Sequence, residues 1–455
     1  MPKPGGRHRR LAVTLAGALA AVAIAAVSVW FFALRDASAP ASYKTAPDFV
    51  EKPELGPKIN AESLFDGRHD TYVFHLANES GDRVAVTAEP SQYLVEPSTT
   101  GISLMVVNAQ DGKPVWKQPA DLDAAAGLEE PYVQELEHTD SGDLVVRLTN
   151  ADEDNPDSVL VAIGADGSVL GKTACDEYWT VLGEHVVLAA EDGDISVRAV
   201  RDIDAQIWSA EALEAIHVGM VDGWIAPLKD TDGTRYVQTA DGYRELTKGR
   251  EMGWGEAEDN VRHASTTQGV SLRAEQDSDD GEWLITRIDP ANGEVLWEKP
   301  VESPVFELLD SHVDDILLRM DSGGALASID TASGTENWLF EPAEGSSSVA
   351  IAMPDGRTTV LSTISGWDAS ATVTSIGAEG AELFTFDLDL SAVTGIALGQ
   401  RVFYVAEEGK LTGYDMDSVG DQLWTLKLAE DEYLWWTGNH IMIGTSTYQR
   451  PLVRG

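Results

Sequence analysis

The residue types that could carry out chemistry are scattered along this sequence. Its nine histidines do not fall at metal-ligand spacings, and it has no G-x-S-x-G, H-E-x-x-H or C-x-x-C motif. Two acidic stretches, residues 152–157 and 275–281, offer the oxygen ligands that Ca²⁺ prefers. Neither has its glycine where a calcium-binding loop needs it. We therefore interpret both as solvated loops and predict no catalytic residue, no metal site and no cofactor.

A unit of two short strands joined by a tight turn recurs instead. Each copy has an Asp or Asn before the turn, a Gly within it and a Trp four residues after the Gly. One further copy keeps the Trp but has Asp204 where the Gly is expected. The residues of this repeat are Asn108, Gly112 and Trp116; Trp208; Asp289, Gly293 and Trp297; Asp330, Gly334 and Trp338; and Asp415, Gly420 and Trp424.

The residue types explain why each unit folds as a hairpin. An Asp or Asn side chain can accept a hydrogen bond from the backbone two residues on, and the Gly can adopt the positive φ that closes the turn. The Trp then lies on the returning strand, where it can be buried against a neighbouring sheet. Such a unit cannot bury both faces alone, so its recurrence every 40–50 residues predicts a propeller or solenoid.

The remaining sequence from Asp70 onward also has the pattern of short strands separated by turns. Weaker hairpins include residues 163–170 and 376–383, with Leu170 and Leu383 where the Trp is expected, and residues 239–243. We predict an all-β fold, a β-propeller of about eight four-stranded blades, with seven as the alternative. The eight hairpins are centred near residues 110, 165, 203, 241, 291, 332, 379 and 417. Strands near residues 433–436 and 440–444 are candidates to close the ring with residues 72–75.

The pattern L-x-x-I-D-x-x-x-G-x-x-x-W, as in Leu326 to Trp338, resembles the repeat of the pyrroloquinoline-quinone-like (PQQ-like) β-propellers. The resemblance implies that each Trp packs between adjacent blades. The family includes quinone-dependent dehydrogenases and also non-catalytic exported scaffolds, such as the lipoprotein subunit of the outer-membrane protein assembly machine. Many of the dehydrogenases place a vicinal disulfide against the quinone, whereas this chain has only Cys175. We therefore expect a non-catalytic member.

The N-terminal region predicts a membrane anchor. Residues 11–34 are uncharged and long enough to span a bilayer, and Arg7, Arg9 and Arg10 precede them, which favours a cytoplasmic N-terminus. A cleaved signal peptide is the alternative, because Ala37-Ser38-Ala39 has the small-x-small form of a cleavage site. We predict a basic cytoplasmic tail (1–10), a transmembrane helix (11–34), a flexible linker (35–60) and an exported propeller (61–455).

Charge and aromatic content limit the choice of partner. The formal net charge of −44 repels nucleic-acid phosphates, so we expect no DNA or RNA partner. Aromatic residues outside the repeated Trp position are either core residues or hints of a binding surface; they are Tyr178, Trp179, Trp254, Trp367, Trp435 and Trp436. The sequence therefore predicts a single-pass cell-membrane protein whose exported propeller binds or scaffolds an unidentified envelope protein or ligand. The alternatives are a PQQ- and calcium-dependent dehydrogenase and an extracellular ligand sensor that works through a partner.

Overall fold

The computed structural model describes most of the chain from Ala46 onward, and all of these residues belong to one compact unit, Ser38–Gly455. The predicted basic tail and transmembrane helix lie outside them. Among the residues described, no helix is long and apolar enough to cross a membrane. The described residues are 46–60, 71–77, 83–90, 104–108, 111–117, 122, 126–128, 131–150, 157–175, 178–189, 194–211, 228–230, 232–255, 261–265, 269–276, 283–301, 307–311, 315–319, 325–343, 346–353, 356–364, 370–390, 392–417, 421–437, 440–445 and 448–454.

This part of the chain is all-β and forms nine small antiparallel sheets. Two short strands, β1 (Glu54–Leu55) and β2 (Ile59–Asn60), come first. Sheet 1 contains β3 (Thr71–Ala77), β4 (Arg83–Pro90), β5 (Leu104–Asn108) and β6 (Pro114–Lys117). Sheet 2 contains β7 (Tyr132–His138), β8 (Leu144–Thr149), β9 (Ser158–Ile163) and β10 (Val169–Ala174). Sheet 3 contains β11 (Tyr178–Leu182), β12 (His185–Ala189), β13 (Asp194–Ala199) and β14 (Asp202–Glu211).

The same arrangement continues through the second half of the chain. Sheet 4 contains β15 (Leu228–Lys229), β16 (Arg235–Thr239) and β17 (Gly242–Glu245). Sheet 5 contains β18 (Val261–Ser265), β19 (Ser271–Gln276), β20 (Trp283–Asp289) and β21 (Glu294–Val301). Sheet 6 contains β22 (Glu307–Ser311), β23 (Asp315–Arg319), β24 (Leu326–Asp330) and β25 (Glu336–Phe340). Sheet 7 contains β26 (Ser346–Ala352), β27 (Thr358–Ile364), β28 (Ser370–Ile376) and β29 (Glu382–Asp389).

The last two sheets lie at the C-terminal end of the chain. Sheet 8 contains β30 (Val393–Leu398), β31 (Val402–Glu407), β32 (Lys410–Asp415) and β33 (Asp421–Lys427). Sheet 9 contains β34 (Tyr433–Thr437), β35 (His440–Gly444) and β36 (Tyr448–Val453), and both β1 and β2 pair with β36. Strand β34 lies beside β30 of sheet 8 and beside β3 of sheet 1.

Burial differs between the middle and the outer strands of a sheet. In β31 the five residues from Val402 to Ala406 are all buried, as expected of a strand covered on both faces. The outer strand β29 instead alternates, with Phe384 and Leu388 buried and their neighbours exposed or partly exposed. The core therefore lies between neighbouring sheets, and the fourth strand of each sheet lies at its outer edge.

Each of the eight predicted hairpins falls in a different sheet, and seven of them join the third and fourth strands. The hairpin near residue 241 instead joins β16 and β17, the second and third strand positions of sheet 4. The ninth sheet has no repeat of its own, because it is assembled from both ends of the described chain. Sequence repeats therefore mark one sheet fewer than the described residues form.

Residues 46–60, which we call the clasp, correct the prediction of a flexible linker over 35–60. The bond from Ala46 N–H to the Leu398 carbonyl (2.7 Å) joins the clasp to sheet 8, while β1 and β2 pair with β36 of sheet 9. Phe49 and Ile59 are buried. Ala46 is buried as well, and Leu55 packs against the same core cluster as Phe49, so the proline-containing stretch is anchored at several points. The N-terminal strands of sheet 9 are thus β1 and β2, whereas residues 72–75, predicted for that place, belong to β3 of sheet 1.

Candidate functional site

A docked tryptophan joins several of the sheets to the next one along the chain. Trp297, on the outer strand of sheet 5, lies against Gly334 in the last turn of sheet 6. Its indole N–H donates to the Thr331 carbonyl oxygen (2.8 Å). A Cβ atom placed on Gly334 would lie 2.8 Å from the Trp297 ring, and the φ of Gly334 is 71°. Only glycine combines that backbone conformation with room for the indole.

The same contact recurs between other pairs of sheets. Trp338 of sheet 6 lies against Gly380 of sheet 7. The Trp208 indole N–H donates to the Leu246 carbonyl oxygen (2.7 Å), and the ring covers Gly249. In the same way, the Trp116 ring of sheet 1 covers Gly167 of sheet 2. Each glycine has a positive φ, so a turn of one sheet forms the seat for the indole of the preceding sheet.

Two docking residues were missed in the sequence. Trp254, placed outside the repeat, covers Gly293 of sheet 5 and stacks on Tyr243 with ring centroids 4.8 Å apart. Its position five residues after the turn glycine Gly249 is the signal that could have identified it. In sheet 7 the buried aromatic is Phe384, four residues after Gly380, whereas Leu383, predicted for that place, is exposed.

Trp424 contacts the clasp instead of a turn glycine of a following sheet. Its indole N–H donates to the Phe49 carbonyl oxygen (2.6 Å). The Tyr404 hydroxyl donates to the Pro47 carbonyl oxygen (2.6 Å) and accepts from the Phe49 N–H (2.8 Å). One carboxylate oxygen of Asp48 accepts the backbone N–H groups of residues 401 and 402, at 2.8 and 2.9 Å. The clasp is therefore held by side-chain and backbone bonds as well as by burial.

Asp415, the acidic residue of the last repeat, is buried and forms an ion pair with Arg401. The hydrogen bond from this guanidinium to the Asp415 carboxylate raises the pKa of Arg401. Gly420, the glycine of the same copy, lies outside the described residues. Asp415 thus fixes the turn of sheet 8 to which the clasp is attached.

The other predicted turn residues lie in the turns themselves. The backbone carbonyls of Asn108, Asp289 and Asp330 accept the N–H of the glycine four residues later, at 2.7–2.9 Å. Their side chains also accept from turn N–H groups; for example, the Ala291 N–H donates to Asp289 (2.9 Å). These residues shape the turn and are not gathered into a common site.

Polar side chains connect the first turns of sheets 2, 3 and 4. The Ser141 N–H and hydroxyl donate to the Glu184 carboxylate, at 2.7 and 2.8 Å, and Arg235 pairs with Asp140 at 3.7 Å. Burial lowers the pKa of Lys229, and Arg235 lowers it further. These charges compensate one another across three sheets, so they rigidify this end of the unit.

The structure gives no support to a metal site where it can be examined. Across the described ranges, no three His, Cys, Asp or Glu side chains are grouped so that they could hold a metal ion. Most of the acidic stretches 152–157 and 275–281 lies outside those ranges.

Of the aromatic residues outside the repeat, Trp367 also lies outside the described ranges. The Trp179 side chain is largely buried and its indole N–H donates to Glu135 (2.7 Å), whereas Tyr178 beside it is exposed.

The outer strands present apolar side chains to solvent. Because neighbouring residues of a strand face opposite ways, the residue before a docked aromatic points outward. Four such residues have apolar side chains that are about 40% or more exposed: Val115, Ile207, Leu296 and Leu383. Leu339 of β25, directly after Trp338, is equally exposed at 50%. Contiguous exposed apolar patches are typical of protein-binding surfaces, and each of these strands contributes an exposed apolar side chain, so the outer strands are the candidate functional surface.

Comparison with known proteins supports the interpretation of the repeats. Residues 322–446 match the PQQ_2 family model, described as outer membrane protein assembly factor BamB. No curated protein matches the chain. A structure described as the eukaryotic initiation factor is 10% identical over 86% of this chain and 91% of its own, with a TM-score of 0.52. At that identity the likeness shows the fold alone.

Two further solved structures resemble the chain more distantly. BamB from Moraxella catarrhalis is 12% identical over 88% of this chain and 99% of its own, with a TM-score of 0.41. A europium-containing methanol dehydrogenase is 9% identical over 90% of this chain and 87% of its own, with a TM-score of 0.37. Residues 322–446 therefore match the repeat of the PQQ-like β-propellers, as the sequence resemblance predicted.

Proposed function

We propose that this chain is a membrane-anchored, exported β-propeller that binds another protein and is not itself an enzyme. The observation that carries the proposal is the row of half-exposed apolar side chains on outer strands, represented by Leu296, Leu339 and Leu383. Sheets 5, 6 and 7, which present them, are joined by docked tryptophans. A rigid scaffold of this kind loses little conformational entropy on binding, which favours a protein-binding role.

The nine sheets are, in this proposal, the blades of one ring. Sheet 9 lies beside sheet 8 and sheet 1 through β34, and the clasp contacts the same neighbours. It bonds to sheet 8 at Leu398, and Ile59 packs against Gly112 in the last turn of sheet 1. The clasp would thus close the ring by linking the two ends of the chain.

The anchor is residues 11–34, with the N-terminus in the cytoplasm and the propeller outside. Its support is the uncharged 24-residue segment and the arginines that precede it. Eleven residues, 35–45, separate the segment from the clasp (45 − 34 = 11). Fully extended, they reach at most about 40 Å. Residues 35–45 would keep the propeller close to the membrane and raise its effective concentration for membrane-bound partners.

Two experiments on the full chain test the proposal. A photo-crosslinking amino acid at position 339 or 383 should give adducts with a protein in intact cells, whereas the same group at buried position 187 should give none. If crosslinking from the outer strands yields no protein adduct, the binding function is wrong. An adduct that forms only with an added small molecule would favour the sensor alternative.

The enzyme alternative is tested with the purified full chain, PQQ and Ca²⁺. We expect no heat of binding that requires both components and no oxidation of alcohols or sugars coupled to an electron-accepting dye. Stoichiometric uptake of the quinone together with substrate-dependent dye reduction would overturn the non-enzymatic proposal and establish a dehydrogenase.

A further inference from the structure

The outer strands differ in how well they are protected against pairing with another chain. Proteins block such edges with Pro, Lys, bulges or short strands. Strand β21 contains Lys299 and Pro300, β33 ends at Lys427, and β25 has only five residues. Strand β29 is eight residues long and contains neither Lys nor Pro. Its one bulge lies at the start of the strand, so residues 384–389 form an outer edge without these protecting features.

Strand β29 is also regular along most of its length. Residues 384–389 pair with residues 370–375 of β28 without interruption, and the single register shift lies between Ser375 and Ile376, at the start of β29. Within the described residues, β28 is the one strand with which it pairs. Because alternate residues direct their N–H and C=O groups to opposite sides of a strand, about three of residues 384–389 present both groups to the side away from β28.

The side chains of β29 indicate the chemistry of the occupant. Phe384 and Leu388 are buried, and Phe386 lies against Tyr414 of sheet 8 with ring centroids 5.7 Å apart, so the inner face is fixed. The exposed side chains are Leu383, which is 50% exposed, and the acidic Glu382, Asp387 and Asp389. A complementary strand would be basic and would carry an apolar residue opposite Leu383.

The same charges argue against a second copy of this chain. Two β29 strands side by side would bring six carboxylates together, three from each copy, on proteins that each have a formal net charge of −44. Like charges on paired strands destabilise the pairing. Electrostatics therefore favours a basic partner over self-association.

We propose that β29 is the docking site for a basic, extended segment of a partner protein, which adds to sheet 7 as a fifth strand. The proposal rests on the protein-binding function above and specifies where the partner binds. Backbone hydrogen bonds to the outer edge of β29 would supply most of the contacts, and Leu383 with the neighbouring carboxylates would select a basic amphipathic sequence.

The test uses the full chain in non-ionic detergent and a fluorescent ten-residue peptide of alternating lysine and valine with blocked ends. Leu383→Lys should weaken binding at least tenfold, because it removes the apolar contact and adds a repelling charge. Val295→Lys is the matched control, since Val295 is as exposed as Leu383 but lies on β21, which contains Lys299 and Pro300, and it should change the affinity less than twofold. Methylating alternate peptide nitrogens should also weaken binding at least tenfold.

Amide hydrogen exchange measures where the peptide binds. Exchange in residues 382–389 should slow on peptide addition, and exchange in β25 should not. Equal affinities for both lysine variants and for the methylated peptide would overturn the proposal, because binding would then be electrostatic and unrelated to a strand edge. Concentration-dependent dimers that Leu383→Lys abolishes would also overturn it and identify a second copy as the occupant.

Failure of this inference can be separated from failure of the proposed function. If the peptide does not protect β29 while crosslinks from position 339 still capture a protein, the docking site is wrong and the binding function stands. If neither position 339 nor position 383 gives an adduct, the binding function itself fails.

Discussion

Replacing Phe49 with alanine tests whether the clasp holds the unit together. The Phe49 side chain is only 7% exposed and packs in a cluster with Tyr404, Trp424 and Leu434, which belong to sheets 8 and 9. Removing a buried phenylalanine side chain costs about 3–5 kcal/mol. If the clasp unfolds together with the sheets, the loss appears in global stability. For a unit of this size, with an unfolding entropy of about 2.1 cal/mol/K per residue, we expect the melting temperature to fall by about 3–6 °C.

The assay is scanning calorimetry of the full chain with Val50→Ala as the matched control. Val50 is the next residue along the clasp and is 38% exposed, so its truncation should lower the melting temperature by less than about 1 °C. Equal shifts for Phe49→Ala and Val50→Ala would refute the reasoning. A faster amide exchange confined to residues 46–60, with an unchanged melting temperature, would show that the clasp opens independently of the sheets.

Three further predictions follow from single contacts. Gly334→Ala should lower the free energy of unfolding, measured with urea, by about 2–4 kcal/mol, because the new methyl group meets the docked indole. Gly409 also has a positive φ (76°) but has no atom within 4 Å of an added Cβ, so Gly409→Ala should lower the free energy of unfolding by only about 1 kcal/mol. Arg450→Met should cost about 3–5 kcal/mol, because it leaves the carboxylate of Glu432, which is buried, without its cation. Burial, with the neighbouring Arg273, lowers the pKa of His263 to about 4, so stability should fall as the pH drops from about 6.5 towards 4, and less so in His263→Gln.

The sign of the His263 effect follows from proton binding. The unfolded imidazole has a pKa near 6.5 and the folded one near 4. Between these pH values the unfolded state binds more protons, so the free energy of unfolding decreases as the pH falls. At about 1.4 kcal/mol per pKa unit between 6.5 and 4, the full effect is about 3 kcal/mol. Identical pH profiles of unfolding for the parent and His263→Gln would contradict it. For the glycine pair, equal losses at positions 334 and 409 would show that strain and not the indole dominates, and an Arg450→Met variant as stable as the parent would show that Glu432 is hydrated.

Local features of the fold could be derived from the sequence because their causes lie within a few residues. The Asp330 carbonyl and the Gly334 N–H that close one turn are four residues apart, and the alternation of apolar residues indicates which strand faces are buried. All-β class, repeated small sheets and the PQQ-like repeat follow from such short-range patterns.

The sequence predicted the strands themselves more accurately than it predicted which residue of a strand is buried. Leu383 was predicted in the docking position, but the structure buries Phe384 there and exposes Leu383. The repeat places its aromatic residue four residues after the turn glycine, and four residues after Gly380 is Phe384, not Leu383. The register shift at the start of β29 also occurs in β21 and β25, where the predicted tryptophans are the docked residues, so the error lay in the spacing assumed for this weaker copy.

Only the tertiary structure decided which parts of the chain meet across sheets. Gly334 is the seat for Trp297, 37 residues before it, and Phe49 bonds to Tyr404, 355 residues away. Trp254 docks on Gly293, which lies in a turn of the next sheet. The physical reason is that turn formation depends on backbone conformation at adjacent residues, whereas docking and closure depend on the order and spacing of whole sheets. The sequence by itself therefore determined the repeating unit, and the packing of those units decided how they are joined.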